Sequence, residues 1–527
     1  MNKNITLEVK NITKKFGDVI ALKDISLALE KGEILALLGE NGSGKTSLMN
    51  VIAGIYFPDN GEIFVNGEKA KINSPKEAYK YKIGMIHQHY KLIDVFTAVE
   101  NVVLGLSKNE YRELLGNPKS KFNLKEAENR MNEISAAFEF NINPRKKVYN
   151  MAVSEKQTLE ILKVLFRGVD ILILDEPTAV LTPQETKRLF KILRNMKEAG
   201  KTIIIITHKL NEVMEISDKV AVLRKGELIG TVETSKTNEN ELTEMMVGKK
   251  IDLNIERSEV KNPQIKLLIK NLTVRNEERV VLSNINLNVR SHEILGIAGI
   301  AGSGQKELLE TIAGLNKIED GEICFINDKN EEVDLKKLSP TKIRNLGISL
   351  SFVPEDRLGM GLVGDFNLVD NVMLRSYRNN SNKHFLTTDK KNPTNLTKNI
   401  VEELEVVAPN IKTQISKLSG GNVQKVLVGR EIASQPKVLM AAYPVRGLDI
   451  NSSYLIYNLL NEQKNNDAAV IYVGEDLDVI LALCDKIAVL CAGKITGIVD
   501  ARTTTKEEIG LLMTKNTENE ENGNLTL

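Results

Sequence analysis

Gly39-Glu40-Asn41-Gly42-Ser43-Gly44-Lys45-Thr46 follows directly on the apolar run Ile34-Leu35-Ala36-Leu37-Leu38. A buried strand that breaks into a glycine-rich loop and then a helix is the P-loop arrangement, because glycines let backbone N–H groups curl around phosphate oxygens at a helix N-terminus. Lys45 is placed to reach the β- and γ-phosphates, and the Thr46 hydroxyl to hold Mg2+. Gly39, Asn41, Gly42, Ser43, Gly44, Lys45, Thr46 and Ser47 are therefore the candidate ATP-binding residues of this segment.

At 527 residues the chain is too long for one core. Lys+Arg 71 against Asp+Glu 70 leaves +1, and no basic run marks a nucleic-acid surface. Cys324, Cys484 and Cys491 lack Cys-x-x-Cys spacing and sit among apolar neighbours, which points to buried, reduced thiols and no metal site beyond Mg2+. The first ten residues are charged, with no signal-peptide core, and no apolar run has bilayer length. A role at a membrane would need another subunit as anchor.

The chain repeats itself. Ile52-Ala53-Gly54 followed by Gly61-Glu62-Ile63 returns as Ile312-Ala313-Gly314 followed by Gly321-Glu322-Ile323. Ser217-Asp218-Lys219-Val220-Ala221-Val222-Leu223 returns as Cys484-Asp485-Lys486-Ile487-Ala488-Val489-Leu490. The expected organisation is a first domain over 1–248, a polar linker over 249–264, a second domain over 265–514 and a polar tail over 515–527. Apolar runs at 34–38, 171–174, 202–206 and 219–223 predict buried, mostly parallel strands of an α/β sheet. Residues 184–199, apolar at Leu189, Phe190, Ile192, Leu193 and Met196, predict an intervening helix, and the polar insert 375–399 reads as loop.

The run Ile171-Leu172-Ile173-Leu174 ends in Asp175-Glu176-Pro177-Thr178. At such a strand end Asp175 can hold the water shell of Mg2+ and Glu176 can polarise an attacking water, as phosphoryl transfer to water requires. His208, after the run 202–207, is placed to contact the γ-phosphate. Gln88, after Gly84-Met85-Ile86-His87, would link the metal to whatever docks on the surface.

The second half supplies Leu418-Ser419-Gly420-Gly421-Asn422-Val423-Gln424. With the P-loop and the Asp-Glu strand end, this resembles the ABC ATPase family over nearly the whole chain. The resemblance implies two tandem P-loop NTPase domains, each a mostly parallel sheet with helices and a helical subdomain, paired head to tail as a pseudo-dimer. ATP would then lie between one half's P-loop and the other half's signature, here Ser419, Gly420 and Gly421, with Phe16 stacking on adenine.

Carried through the second half, the resemblance meets losses. Gln305 stands where the first half has Lys45, and Lys306 where it has Thr46. Ala442 and Tyr443 replace Asp175 and Glu176, and Glu475 replaces His208. Phe16 has no aromatic counterpart in 273–279. The first half's own signature reads Met151-Ala152-Val153-Ser154-Glu155-Lys156-Gln157, with Ala152 and Ser154 where serine and a glycine are expected. In a head-to-tail sandwich all these losses fall in one site, leaving one competent composite site. Thr182 stands where many members carry aspartate, and the second half keeps Asp449.

Pro354-Glu355-Asp356-Arg357 and Pro444-Val445-Arg446-Gly447-Leu448-Asp449 look like the sugar-import class of bacterial permease ATPases. The run from His87 to Asn101 is similar to the nucleoside-uptake branch, with ribose- or galactose-like sugars as the alternative cargo. That resemblance implies an ATPase at the cytoplasmic face of the membrane, two integral membrane permease subunits, a substrate-binding lipoprotein acting indirectly, and no nucleic acid. A soluble double ABC protein acting on ribosomes or DNA is the rival class, disfavoured by one dead site, a short linker and no cysteine clusters. A binding module without turnover is disfavoured by Lys45, Asp175, Glu176 and His208.

Overall fold

The computed structural model describes residues 4–87, 90–115, 123–250, 253–276, 279–300, 302–352, 361–375 and 390–515. The chain divides into two compact units, Met1–Asp252 and Leu253–Leu527.

The first unit is organised on a six-stranded sheet in the order Glu227–Glu233, Lys219–Arg224, Ile34–Leu38, Thr202–Ile206, Ile171–Asp175, Ile83–Ile86. All neighbours run parallel except the edge strand Glu227–Glu233. Ile34–Leu38 and Thr202–Ile206 are buried along their whole length, as strands covered on both faces must be. Strand alternation sends Leu35, Leu37, Ile204 and Ile206 to one core, with Leu48 and Ile52 of the helix Lys45–Ile52. It sends Ile34, Ile203 and Ile205 to the opposite core, with Leu162, Phe190 and Leu193. The first core is roofed by a four-stranded antiparallel sheet, ordered Val19–Glu30, Ile5–Phe16, Asn60–Val65, Glu68–Ala70. The second receives the helices Leu124–Ala137 and Val153–Phe166 through Ala127, Met131 and Leu159.

The helix expected over 184–199 is Pro183–Glu198, and all five predicted apolar positions are buried. Thr182 caps it, its side chain accepting from the Glu185 N–H while the Glu185 carboxylate accepts from the Thr182 N–H. Asp449 caps Ile450–Asn465, its carboxylate accepting from the Ser452 N–H at 2.8 Å and from the Ser452 hydroxyl at 2.7 Å. Threonine at 182 thus keeps the cap without the charge.

The second unit repeats both sheets. Its six strands run Lys494–Asp500, Lys486–Cys491, Ile294–Gly299, Ala469–Val473, Val438–Ala442, Ile348–Phe352, and its antiparallel sheet Arg279–Arg290, Ile265–Asn276, Asp320–Ile326, Glu332–Asp334. Three expectations need correction. The insert 375–399 is not all loop, because Lys391–Glu403 is a helix that buries Pro393, Thr397 and Ile400 at the i, i+4, i+7 spacing its polar composition obscured. Cys324 and Cys484 are buried, but Cys491, at a strand end, is only half-buried. The polar stretch before residue 264 is not a bare tether: Ile255 packs on the second unit's core, and Arg257 donates to the Leu481 and Cys484 carbonyls. Residues 376–389 of the insert and 516–527 of the tail lie outside the described residues, as do Gln88, Ala301 and Pro354-Glu355-Asp356-Arg357.

The repeat offers an internal comparison of two aspartates. Asp218 and Asp485 each accept from the N–H that opens the central strand, Ile34 and Ile294, at 2.8 and 2.9 Å. Lys197–Asp218 lies near the surface, with side chains 36% and 37% exposed, whereas Lys464–Asp485 is sealed at 1% and 4%. Removing one partner of a buried pair strands the other charge and costs about 3–5 kcal/mol, against at most about 1 kcal/mol for an exposed pair. Asp485→Ala therefore shifts urea unfolding, followed by circular dichroism, to lower midpoints by clearly more than Asp218→Ala does; equal shifts would contradict this.

Candidate functional site

The loop 39–44 leads from the end of Ile34–Leu38 to the first turn of Lys45–Ile52. A Cβ on Gly39 would come within 2.3 Å of the Leu223 carbonyl oxygen and 2.5 Å of Ser43 Oγ, so the close chain approach requires glycine there. Gly44, at φ 101°, is the N-cap. Lys45 is buried, and its Nζ donates to the Gly39 and Glu40 carbonyls at 2.7 and 2.9 Å, which folds the loop over its own ammonium. Burial pulls its pKa down, while the charges of Glu176 and Asp175 oppose that shift. Ser43 Oγ is buried without a hydrogen-bond partner, and Asn41, Gly42 and Thr46 are exposed at the loop's open side. An orphaned hydroxyl, a lysine and a glycine-lined cradle at a helix N-terminus fit the phosphates of a nucleotide.

Asp175 and Glu176 stand at the end of Ile171–Asp175, one strand beyond Thr202–Ile206. Burial, with the Glu176 charge beside it, pushes Asp175 up to about 6. Glu176 has the left-handed φ of 45°, its N–H donating to the Ile206 carbonyl. Its Oε1 meets His208 Nδ1 at 3.0 Å, and that hydrogen bond holds the Glu176 carboxyl below its usual range. Glu176 is thus kept anionic, as a base must be, while the Asp175 charge, disfavoured by burial and by Glu176, is one that a cation bound beside it would stabilise.

A residue that sequence reasoning missed organises these two loops. Glu212 Oε2 accepts from Thr178 Oγ1 at 2.7 Å and from Thr207 Oγ1 at 3.4 Å, all three side chains being buried. Thr178 follows Glu176 by two residues and Thr207 precedes His208, so Glu212 ties the base to its partner. The signal was a glutamate on the turn of helix after His208, which spacing alone does not distinguish from a surface charge.

In the second unit the same backbone carries other chemistry. Gln305 opens the helix Gln305–Ile312, its Nε2 donating to the Ile300 carbonyl, and Lys306 is exposed, 3.7 Å from Glu310. Ala442 is buried in the strand end, and Tyr443 keeps the left-handed φ, 52°, of Glu176. Glu475 pairs with Arg446 at 3.3 Å. Val445, Gly474 and Val479 occupy the places of Thr178, Thr207 and Glu212, so the tie is missing as well.

The two signature segments also differ. Ser419 is the exposed N-cap of Gly420–Ile432, and its Oγ accepts from Asn422 Nδ2 at 2.8 Å, with Gly420 exposed and Gly421 half-buried. Ala152 caps Val153–Phe166 without a side-chain bond, and Ser154 lies half-buried in the first turn. Phe16, 43% exposed, ends the strand Ile5–Phe16, and Ser47 is half-buried behind the P-loop.

A parallel sheet whose central strand feeds a glycine-rich loop, with two acids at the end of a nearby strand, defines a P-loop nucleoside triphosphatase, duplicated here along one chain. The ABC transporter family description matches residues 22–179 and 282–444. The chain is 41% identical over 515 residues to the guanosine import ATP-binding protein NupO of Bacillus subtilis, covering 98% of both chains. It is 38% identical to the nucleoside import ATP-binding protein NupA of Lactococcus lactis, covering 97% of this chain and 99% of that one. A ribose import ATP-binding protein, RbsA of the same species, is 36% identical over 96% of this chain and 99% of its own. The chain therefore belongs to the ABC transporter family, as an ATPase with two fused nucleotide-binding domains.

The Asp175 environment has a measurable sign. Its carboxyl is raised in the folded state, so its contribution to stability is complete at low pH and is lost as pH rises through about 6, when a charge must form beside Glu176. Asp175→Asn, which removes that charge, should raise the melting temperature of the nucleotide-free protein at pH 8 and change it by much less at pH 4.5, nearer the start of the titration window. A difference that is largest at low pH would contradict this.

Proposed function

We propose that the chain is the ATP-hydrolysing motor of a nucleoside importer and that its chemistry is confined to one site per chain. The observation that carries the proposal is the gathering of Lys45, Asp175, Glu176 and His208 at the sheet end of the first unit, against the loss of each at the matching position of the second. Lys45 and the loop N–H groups bind the triphosphate. Glu176, held anionic and aimed by His208, accepts a proton from the attacking water, while His208 bears on the γ-phosphate side. Thr46, Asp175 and Gln88 would hold Mg2+, which when bound would supply charge neutralisation at the phosphate oxygens. Phe16 is the platform for the adenine base.

Nucleosides as cargo are supported by the names of the relatives at 41% and 38% identity and by the run from His87 to Asn101. Among the described residues no helix is long and apolar enough to cross a membrane. With this chain at the cytoplasmic face of the membrane, two integral membrane subunits, supplied with solute by a binding lipoprotein, complete the proposed machine. Co-purification with those subunits, followed by uptake assays with guanosine, other nucleosides and ribose, tests the cargo. Nucleoside-specific uptake is expected; ribose uptake in its place would move the chain to the sugar reading.

Glu176→Gln should keep ATP binding and lower turnover by roughly 10²–10⁴-fold, because only the base is lost. Tyr443→Phe should leave steady-state turnover near the parent value. If both stopped turnover equally, the division into live and degenerate sites would be wrong.

The distribution of losses along the sequence supports a further part of the proposal: the signature Ser419-Gly420-Gly421 serves the P-loop of the first half, and the altered signature at Ala152 and Ser154 serves the degenerate loop. Removing one preorganised donor to developing charge typically slows turnover by about 10²–10³-fold. Ser419→Arg should therefore abolish most ATPase activity in the assembled complex, and Ala152→Arg should spare it. Greater damage from Ala152→Arg would exclude this pairing.

A further inference from the structure

Phe16 is a large apolar side chain left 43% exposed, yet it is not loosely held. Tyr56, in the segment after the P-loop helix, packs against it with ring centroids 5.2 Å apart and planes at 74°. Lys14 places Nζ over the Phe16 ring, 5.5 Å from its centroid. Lys14 is itself fixed by Asp59 at 3.2 Å, its side chain only 15% exposed, and Asp59 is locked by accepting from the Lys15 N–H at 2.6 Å. Aromatic edge contacts and cation–π contacts both have directional geometry, so the two together restrict the ring's orientation.

The second unit is a control built into the chain. Its strand pairs register alike: Phe16 opposes Val19 as Asn276 opposes Arg279, and Thr13 opposes Asn60 as Thr273 opposes Asp320. The anchoring acid persists there, Glu319 pairing with Arg275. The ring, its aromatic neighbour and the overlying cation are all gone, replaced by Asn276, Asn316 and Val274. Asn316 turns instead to Glu310 and the Glu307 carbonyl. A purely structural aromatic pair would have no reason to disappear together with the lysine, the acids and the histidine of the same half, since both units fold on the same sheets.

We propose that Tyr56, together with Lys14, is a positioning residue for base recognition, fixing the Phe16 ring so that the adenine of ATP meets a platform already oriented. This rests on the assignment of Phe16 to the base. Ordering the ring before binding lowers the entropic cost of stacking and so raises affinity without touching the phosphates.

The test uses the full chain and two probes, ATP and inorganic tripolyphosphate, which lacks a base. Tyr56→Ala should weaken ATP binding about 2–10-fold, the range for one aromatic pair, and leave tripolyphosphate binding unchanged. Tyr56→Phe, which keeps the ring, should restore parent affinity. In a Phe16→Ala background Tyr56→Ala should add no further loss, because it acts through Phe16. Unchanged ATP affinity in Tyr56→Ala, an equal loss for tripolyphosphate, or full additivity with Phe16→Ala would each overturn the proposal. Loss on Phe16→Ala with Tyr56→Ala silent would refute the positioning role alone, whereas a silent Phe16→Ala would refute the platform itself.

Discussion

In the first unit a buried ammonium, held by two carbonyls of its own loop, faces two carboxylates at the end of a nearby strand. Burying Lys45 is costly by itself, and the Asp175 and Glu176 charges offset that cost only because the sheet brings the two strand ends together. The loop must be glycine-rich to fold over the lysine, and the strands must be apolar along their length to set that loop beside the acids. The rest of the unit, from the antiparallel roof to the helices on the far face, keeps those strand ends in register.

The second unit shows how much of this architecture is independent of the chemistry. It keeps both sheets, the glycine N-cap at Gly304 with φ 111°, and a left-handed residue at the strand end, yet Gln305, Ala442 and Tyr443 stand where the first unit has Lys45, Asp175 and Glu176. At 443 the left-handed backbone carries a tyrosine, whose hydroxyl is pushed up by burial. Strain of this kind in a non-glycine residue is often tied to a functional site. Here it survives without the carboxylate, so the turn belongs to the fold and Glu176 exploits it.

Much of this was legible in the sequence because its physics is local. A continuous apolar run is what a strand buried on both faces requires, and 34–38 and 202–206 match the observed strands. The P-loop and the Asp-Glu strand end declare themselves for the same reason, since backbone reach and charge placement are set over a few residues. What stayed hidden depends on contacts distant in sequence. Glu212 matters through Thr178, Tyr56 through Phe16, and the helix Lys391–Glu403 through three buried positions among polar neighbours. Glu212 and Tyr56 have no local pattern that separates them from ordinary surface residues, and the i, i+4, i+7 spacing of the helix is masked because Thr397 is among its buried positions.

The central claim is that hydrolysis takes place at the P-loop of the first unit and not at that of the second. It is tested most directly by trapping nucleotide with orthovanadate during turnover, using photoreactive 8-azido-ATP, and mapping the label by proteolysis. The account predicts label confined to the unit Met1–Asp252 and to any segment that faces its P-loop, and none on the loop that carries Gln305. Equal vanadate-dependent labelling of the Gly39 and Gly299 loops would contradict it, because trapping requires hydrolysis, and the second loop would then be doing chemistry without its lysine, acid pair or histidine.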